Sequence, residues 1–188
     1  MKITVVTSNS NKVAETKNLF QPEIEVDHIS LDCPEFRNSD VNIIAKGKAE
    51  YAYEKLHIPL IVDDTAFCIE ALGGFPGPYA AYVSDTLGNS GILKLLEGIE
   101  NLNASFTTAI AYIDKTGVRI FSGTLNGWIG PASGINGFGY DPIFYPGERS
   151  LAALELPEKN RISHRAKALL AFRDWLVKNR VLVCEDNR

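Results

Sequence analysis

ITVVTSNSNKVAETKNLF, residues 3–20, sets how the rest of the chain is read. Ile3 to Thr7 is a run of β-branched and apolar residues, the composition of a buried strand. Ser8-Asn9-Ser10-Asn11 supplies turn and N-cap chemistry, and a helix follows from about Lys12 to Phe20. The next segments repeat this alternation. Glu23 to Ile29 alternates, with Ile24 and Val26 on one face and Glu23, Glu25 and Asp27 on the other, as a strand does. Asn42 to Leu56, rich in Ala, Lys and Glu, reads as a helix. Leu60-Ile61-Val62 reads as a short buried strand that ends in Asp63-Asp64-Thr65. The order β-α-β-α-β predicts an α/β fold.

Beyond residue 70 the pattern changes. LGGFPGPY, 72–79, holds three glycines and two prolines in eight residues and must be a shaped loop. Ala80 to Gly98 predicts two short helices broken near Gly88. Ser105 to Ile113 and Val118 to Ile129 predict long strands joined through Asp114-Lys115-Thr116-Gly117 as an antiparallel hairpin. A Gly-rich loop from Gly130 to Asp141 leads to a short strand near Ile143. Ile162, Ala166, Leu169, Leu170, Leu176 and Val177 fall at helical spacing and predict a last helix over 162–178. The sum is a mixed sheet with helices outside it and several Gly-rich loops able to face one cleft.

Composition narrows the partners. The 188 residues are 45% hydrophobic and 22% charged, which fits a single globular domain, 1–188, with a sizeable core. No apolar run approaches the ~20 residues of a membrane helix. The N-terminal apolar stretch is too short and too polar-flanked for a secretory signal. The three cysteines, Cys33, Cys68 and Cys184, form no CxxC pair, which argues against a zinc site or a disulfide framework and for a reducing cytoplasm. Nineteen basic against 23 acidic residues leave a net charge of −4, so a nucleic-acid duplex is not an expected partner. Small phosphorylated ligands remain, because a few converging lysines make a local positive pocket.

Three constellations carry chemistry. TSNSNK, 7–12, stands at a strand-to-helix junction, where unpaired N–H groups and the helix dipole attract anions and Lys12 adds a full charge. It lacks the GxxxxGK[ST] spacing of a Walker A loop, and its plain alternative is a helix cap beside a solvated lysine. Glu35, Asp63 and Asp64 form an acidic group. Adjacent strand residues diverge, so Asp63 and Asp64 share a site only if the strand stops there. Hard oxygen ligands suit Mg²⁺, and two charges beside Leu60-Ile61-Val62 are costly without a counterion. The alternative is an Asx turn. The third group is FGYDP (138–142), Glu158-Lys159-Asn160 and Ser163-His164-Arg165. An aromatic in a Gly-rich loop can stack on a base, and Arg and His can donate to purine keto oxygens. Singly, Phe138 reads equally as core and His164 as a helix-start residue.

Together TSNSNK (7–12), PEF (34–36), VDDT (62–65), ALGGFPGPY (71–79), FGYDP (138–142) and EKNRISHR (158–165) closely resemble the inosine triphosphate pyrophosphatases, the noncanonical purine NTP pyrophosphatases. The stretches follow the family's order and cover most of the chain. The resemblance implies an elongated central mixed β-sheet flanked by helices, in two lobes with a nucleotide cleft between them, and a homodimer. It implies hydrolysis of ITP, dITP and XTP to the monophosphate and pyrophosphate with Mg²⁺, for which Mn²⁺ would substitute, clearing deaminated purines from the nucleotide pool. Thr7, Ser8, Asn9 and Lys12 would contact the triphosphate together with Lys48, with Lys46 as the alternative on the same helix, and Thr65. Glu35, Asp63 and Asp64 would bind the metal, and Asp64 would also activate water, with Lys12 catalytic beside it. Phe138 would stack on the base, with Gly139, Tyr140, Asp141, Lys159, His164 and Arg165 lining the base and sugar pocket. Two departures are visible. Asp63 stands where many members have Glu, which withdraws the carboxylate by one methylene, and Ser8 stands where many have Gly.

The implied chemistry is attack of water on the α-phosphorus, with charge stabilised by the metal and by Lys12 or Lys48. Hypoxanthine and xanthine present O6 as an acceptor, for which Arg165 is the best donor, whereas adenine presents an amino group there. A Maf-like pyrophosphatase is the nearest rival, but its SxSxxR signature is not the Ser8-Asn9-Ser10-Asn11-Lys12 found here. A non-catalytic nucleotide sensor should have lost Lys12, Glu35, Asp63 or Asp64, and all are present.

Overall fold

The computed structural model describes residues 2–34 and 36–179. Glu35 and Cys184 therefore lie outside the described residues. The chain runs β1 (Lys2–Val6), α1 (Ser10–Phe20), β2 (Glu25–Ile29), α2 (Val41–Leu56), β3 (Leu60–Ile69), β4 (Pro76–Gly77), α3 (Ala80–Thr86), α4 (Gly88–Leu95), β5 (Asn103–Asp114), β6 (Gly117–Ile129), β7 (Phe144–Tyr145), α5 (Leu156–Ile162) and α6 (His164–Lys178). Among the described residues the strands form one open mixed sheet in the order β2-β1-β3-β5-β6-β7, with β4 on the β3 edge. β1 is parallel to both neighbours, and the other pairings are antiparallel. No helix among the described residues is long and apolar enough to cross a membrane.

Pleating sorts the core. Ile61, Ile110 and Tyr112 face α1 and α6, where Phe20, Leu169 and Phe172 close a buried cluster. Leu60, Val62, Ala109 and Ala111 face the other way, onto Ala45, Ala49 and Ala52 of α2. At the far end of the long strands, Phe67, Ile69, Phe106, Leu125 and Phe144 join α3 and α4 in a third cluster, a second lobe. Each large side chain buried here stabilises the fold by roughly 1.5–3 kcal/mol.

Two expectations need correction, and a third is met. β3 does not stop at Asp63-Asp64-Thr65 but pairs with β5 at every position from Leu60 to Ile69. Two adjacent carboxylates read as a strand end, yet each finds a buried cation, so the ladder continues through them. The last helix starts at His164 and Ile162 instead ends α5, because Ser163 between them is extended (φ −62°, ψ 151°) and its hydroxyl caps α6 by accepting from Ala166 N. The short strand expected near Ile143 is Phe144–Tyr145.

Candidate active site

β1 accompanies β3 only along Leu60–Val62, and β4 takes up the same edge at Phe67 and Cys68. Between them no strand among the described residues pairs with the Asp63–Ala66 edge. A cleft of about 380 Å³ lies there, at the carboxyl end of β1, where open α/β sheets bind ligands. Asn9, Lys12, Lys48, Asp64, Thr65, Phe138, Gly139, Tyr140, Asp141, Lys159, His164 and Arg165 all line it. Thr7, Ser8 and Asp63 do not. Thr7 Oγ1 accepts from Asn9 N at 3.2 Å, which shapes the turn, and Ser8 is exposed. Asn9 caps α1, its Oδ1 accepting from the amides of Asn11 (2.9 Å) and Lys12 (3.3 Å).

The pleat separates the two aspartates. Asp63 points to the α1/α6 face, where it meets the Lys12 ammonium and accepts from Arg165 Nε at 2.6 Å. Lys12 also donates to the Asp63 carbonyl at 3.0 Å. Burial pushes the Asp63 carboxyl up, but Arg165 and then Lys12 more than offset it and hold the group well below the usual carboxylate range. Asp64 points to the α2 face, 3.3 Å from Lys48 Nζ. Burial outweighs Lys48 there and raises the Asp64 carboxyl above its ordinary value. Lys48 is thus the lysine of α2 at the cleft, while exposed Lys46 pairs with Glu50 at 3.8 Å. The expectation that Asp63 and Asp64 meet one metal does not fit this geometry, since both Asp63 oxygens face cations. Among the described residues no three His, Cys, Asp or Glu side chains converge on a metal site.

A line of buried ion pairs runs from Lys12 through Asp63 to Arg165, whose Nη1 donates to Glu15 at 2.5 Å. Glu15 also accepts from Lys159 at 2.7 Å, and Lys159 donates to Asp141 at 2.8 Å. Burial raises the Glu15 carboxyl, but Arg165 and Lys159 overcome this and lower it. Burial raises Asp141 despite Lys159. Glu15 was not singled out from the sequence. Its one signal is its spacing of three from Lys12, which puts both on one face of α1.

Asp141 also accepts from Phe138 N at 2.8 Å, which fixes the loop that carries the ring. A Cβ at Gly137 (φ +77°) would come within 2.1 Å of that carboxylate, so the turn needs glycine. The Phe138 ring sits 4.9 Å from Lys159 Nζ and 5.8 Å from the Arg165 guanidinium carbon. Tyr140 lines the cleft, but its hydroxyl donates to Ala80 O at 2.9 Å and its ring stacks on Phe67. It therefore supports the wall, and burial pushes its hydroxyl up to about 12.

His164 opens α6 with its ring parallel to Phe106, 4.6 Å between centroids. Its Nδ1 lies 2.6 Å from Thr108 Oγ1. Burial, then Arg165, lowers the imidazole well below its ordinary value, so it is neutral at physiological pH. α6 approaches β6 over Gly123, where an added Cβ would lie 2.2 Å from His164 O and 2.6 Å from Ala168 N. Thr108, Phe106 and Gly123 carry no motif of their own and emerge only from packing.

The chain that carries this cleft is similar in sequence and fold to known proteins. A dITP/XTP pyrophosphatase of Methanopyrus kandleri is 47% identical over 184 residues, covering 95% of this chain and 98% of its own. Inosine triphosphate pyrophosphatase 1 of Trypanosoma cruzi is 39% identical over 177 residues, covering 92% and 90%. The solved structure of the Staphylococcus aureus Ham1 protein superposes with a TM-score of 0.83 at 30% identity, covering 95% of this chain and all of that one. The Ham1 family model matches residues 3–175, and the chain belongs to the Ham1 family.

Proposed function

We propose that this protein hydrolyses deaminated purine nucleoside triphosphates, ITP, dITP and XTP, to the monophosphate and pyrophosphate. The observation that carries this is that one cleft joins Lys12, Lys48 and Asp64 to Phe138, Lys159, His164 and Arg165. The lysines bind the triphosphate as point charges. Asp64 accepts the proton of the attacking water, and a carboxylate raised by burial is a stronger base for that step. Phe138 stacks on the purine, and donors around it meet keto O6, where adenine would leave them unpaired at a loss of about 1–3 kcal/mol each.

Asp64 fits a divalent cation, because its carboxylate lines the cleft beside the phosphate-binding lysines, and the family resemblance offers Glu35 as a second oxygen donor. One or two carboxylates completed by phosphate oxygens is a set that suits Mg²⁺ or Mn²⁺. Such an ion, when bound, neutralises charge on the phosphate oxygens. Asp63 instead holds Lys12 and Arg165 in place. Exposed Phe75, Tyr79 and Tyr82 would supply the apolar surface for a homodimer.

The test is pyrophosphate release from ITP, XTP, dITP and the four ordinary NTPs. Release confined to the first three, lost in EDTA and restored by Mg²⁺, is expected. Equal rates on ATP, or full activity without a divalent cation, would sink the proposal.

A further inference from the structure

A chain of hydrogen bonds leads from Arg165 into the sheet and back to the cleft. Arg165 Nη2 lies 3.3 Å from Thr65 Oγ1, Thr65 Oγ1 2.7 Å from Thr108 Oγ1, and Thr108 Oγ1 2.6 Å from His164 Nδ1. Thr65 and Thr108 are directly opposed across β3 and β5, which makes the middle bond a cross-strand pair fixed by register. Nothing else in the function described above uses Thr108, and it is fully buried.

We infer that this relay is directional and that Thr108 is a positioning residue, locking neutral His164 into the tautomer whose Nε2–H serves the purine O6. The first bond biases the sense, because a guanidinium only donates and so leaves the Thr65 proton to be given to Thr108. Thr65 therefore accepts, and its own proton goes to Thr108. Thr108 in turn donates to Nδ1, which must carry a bare lone pair. Each hydroxyl then accepts once and donates once, and each bond polarises the next in the same sense. The reverse order would make Thr65 Oγ1 accept from both Arg165 and Thr108, and would send its proton into the cleft that the ligand fills.

The proton of the neutral ring consequently sits on Nε2. That nitrogen has no partner among the described residues, and His164 lines the cleft. It offers a donor to a purine bearing a keto oxygen at position 6 and opposes one bearing an amino group. The selectivity part of this inference rests on the purine reading of the cleft. The tautomer does not, because it is a property of the ligand-free protein.

The experiment uses ¹⁵N-histidine-labelled protein, in which long-range ¹H–¹⁵N correlations tell a protonated ring nitrogen from a bare one. The wild type should show His164 protonated at Nε2 and bare at Nδ1. Thr108→Val, which keeps the shape and removes the hydroxyl, should populate both tautomers and lower the ITP-to-ATP ratio of kcat/KM about fivefold to tenfold. Thr108→Ser should restore both readings, which a purely packing role for the threonine methyl would not allow. A wild-type ring protonated at Nδ1 overturns the inference, as does a Thr108→Val protein with unchanged tautomer or unchanged ratio. Absence of ITP hydrolysis by the wild type would instead remove the functional reading, and the spectrum would still judge the relay.

Discussion

Replacing Arg165 by Ala should cost this protein far more stability than a surface charge would. The guanidinium side chain is 3% exposed, and its carboxylate partners Glu15 and Asp63 are 6% and 5% exposed. Removing one partner of a buried pair typically costs about 3–5 kcal/mol, because an uncompensated charge is left behind. Here each carboxylate keeps a second cation, Lys159 for Glu15 and Lys12 for Asp63, which puts the loss near the lower bound, about 3 kcal/mol. For a chain of this size that corresponds to a fall in Tm of roughly 6–12 °C. Urea midpoints and scanning calorimetry measure it. Glu15→Gln in the Arg165→Ala background should add less than it does alone, since the two share a network. A loss under about 1 kcal/mol for Arg165→Ala would refute the reasoning, for it would mean a solvated guanidinium and no network to break.

Three further outcomes follow from the same geometry. Asp64→Asn should lower kcat about 10²–10⁴-fold while leaving nucleotide affinity largely intact, measured by pyrophosphate release and calorimetric titration; near-normal turnover would move the base elsewhere. Gly123→Ala should destabilise by about 1–3 kcal/mol and lower kcat/KM for ITP, because α6 must move off β6, whereas Gly147→Ala, with nothing within 4 Å, should do neither. Stability should also fall on acidification. An unfolded His164 takes its proton near pH 6.5 while the buried ring resists, so the loss starts as pH drops below about 6.5. Glu15 and Asp63, whose folded carboxyls are lowered, add to it as pH falls below about 4.5 and 3.8. Urea midpoints unchanged from neutral pH to about pH 4 would contradict this.

Local signals carried the alternation of strands and helices and the long hairpin, because Ile3–Thr7, Ser105–Ile113 and Val118–Ile129 have side-chain patterns that owe little to distant residues. The residues of the cleft were legible for a different reason: short, dense motifs such as FGYDP and SHR mark them one after another along the chain. Direction was not legible. Asp63 and Asp64 look like a pair in sequence, but the continuation of β3 sends them to opposite faces, and only the positions of Arg165 and Lys48 make that affordable. Glu15, Thr108 and Gly123 were invisible for a related reason. Each is an ordinary residue whose meaning comes from a partner roughly 40 to 150 positions away.

The bare stretch of β3 has a further consequence, for solubility. An unpaired strand edge is a template on which a foreign chain can build, and proteins guard such edges with charge or by keeping them short. Among the described residues this one is open from Asp63 to Ala66, less than the about five to six residues of an ordinary strand. Two carboxylates stand within it, and the Lys12 ammonium occupies the Asp63 carbonyl. Asp64, which would serve catalysis, and Asp63, which holds Lys12 and Arg165, thereby also guard the sheet against another copy of the chain zipping onto it. A variant neutralised at both 63 and 64 should therefore be lost to aggregation as well as to inactivity.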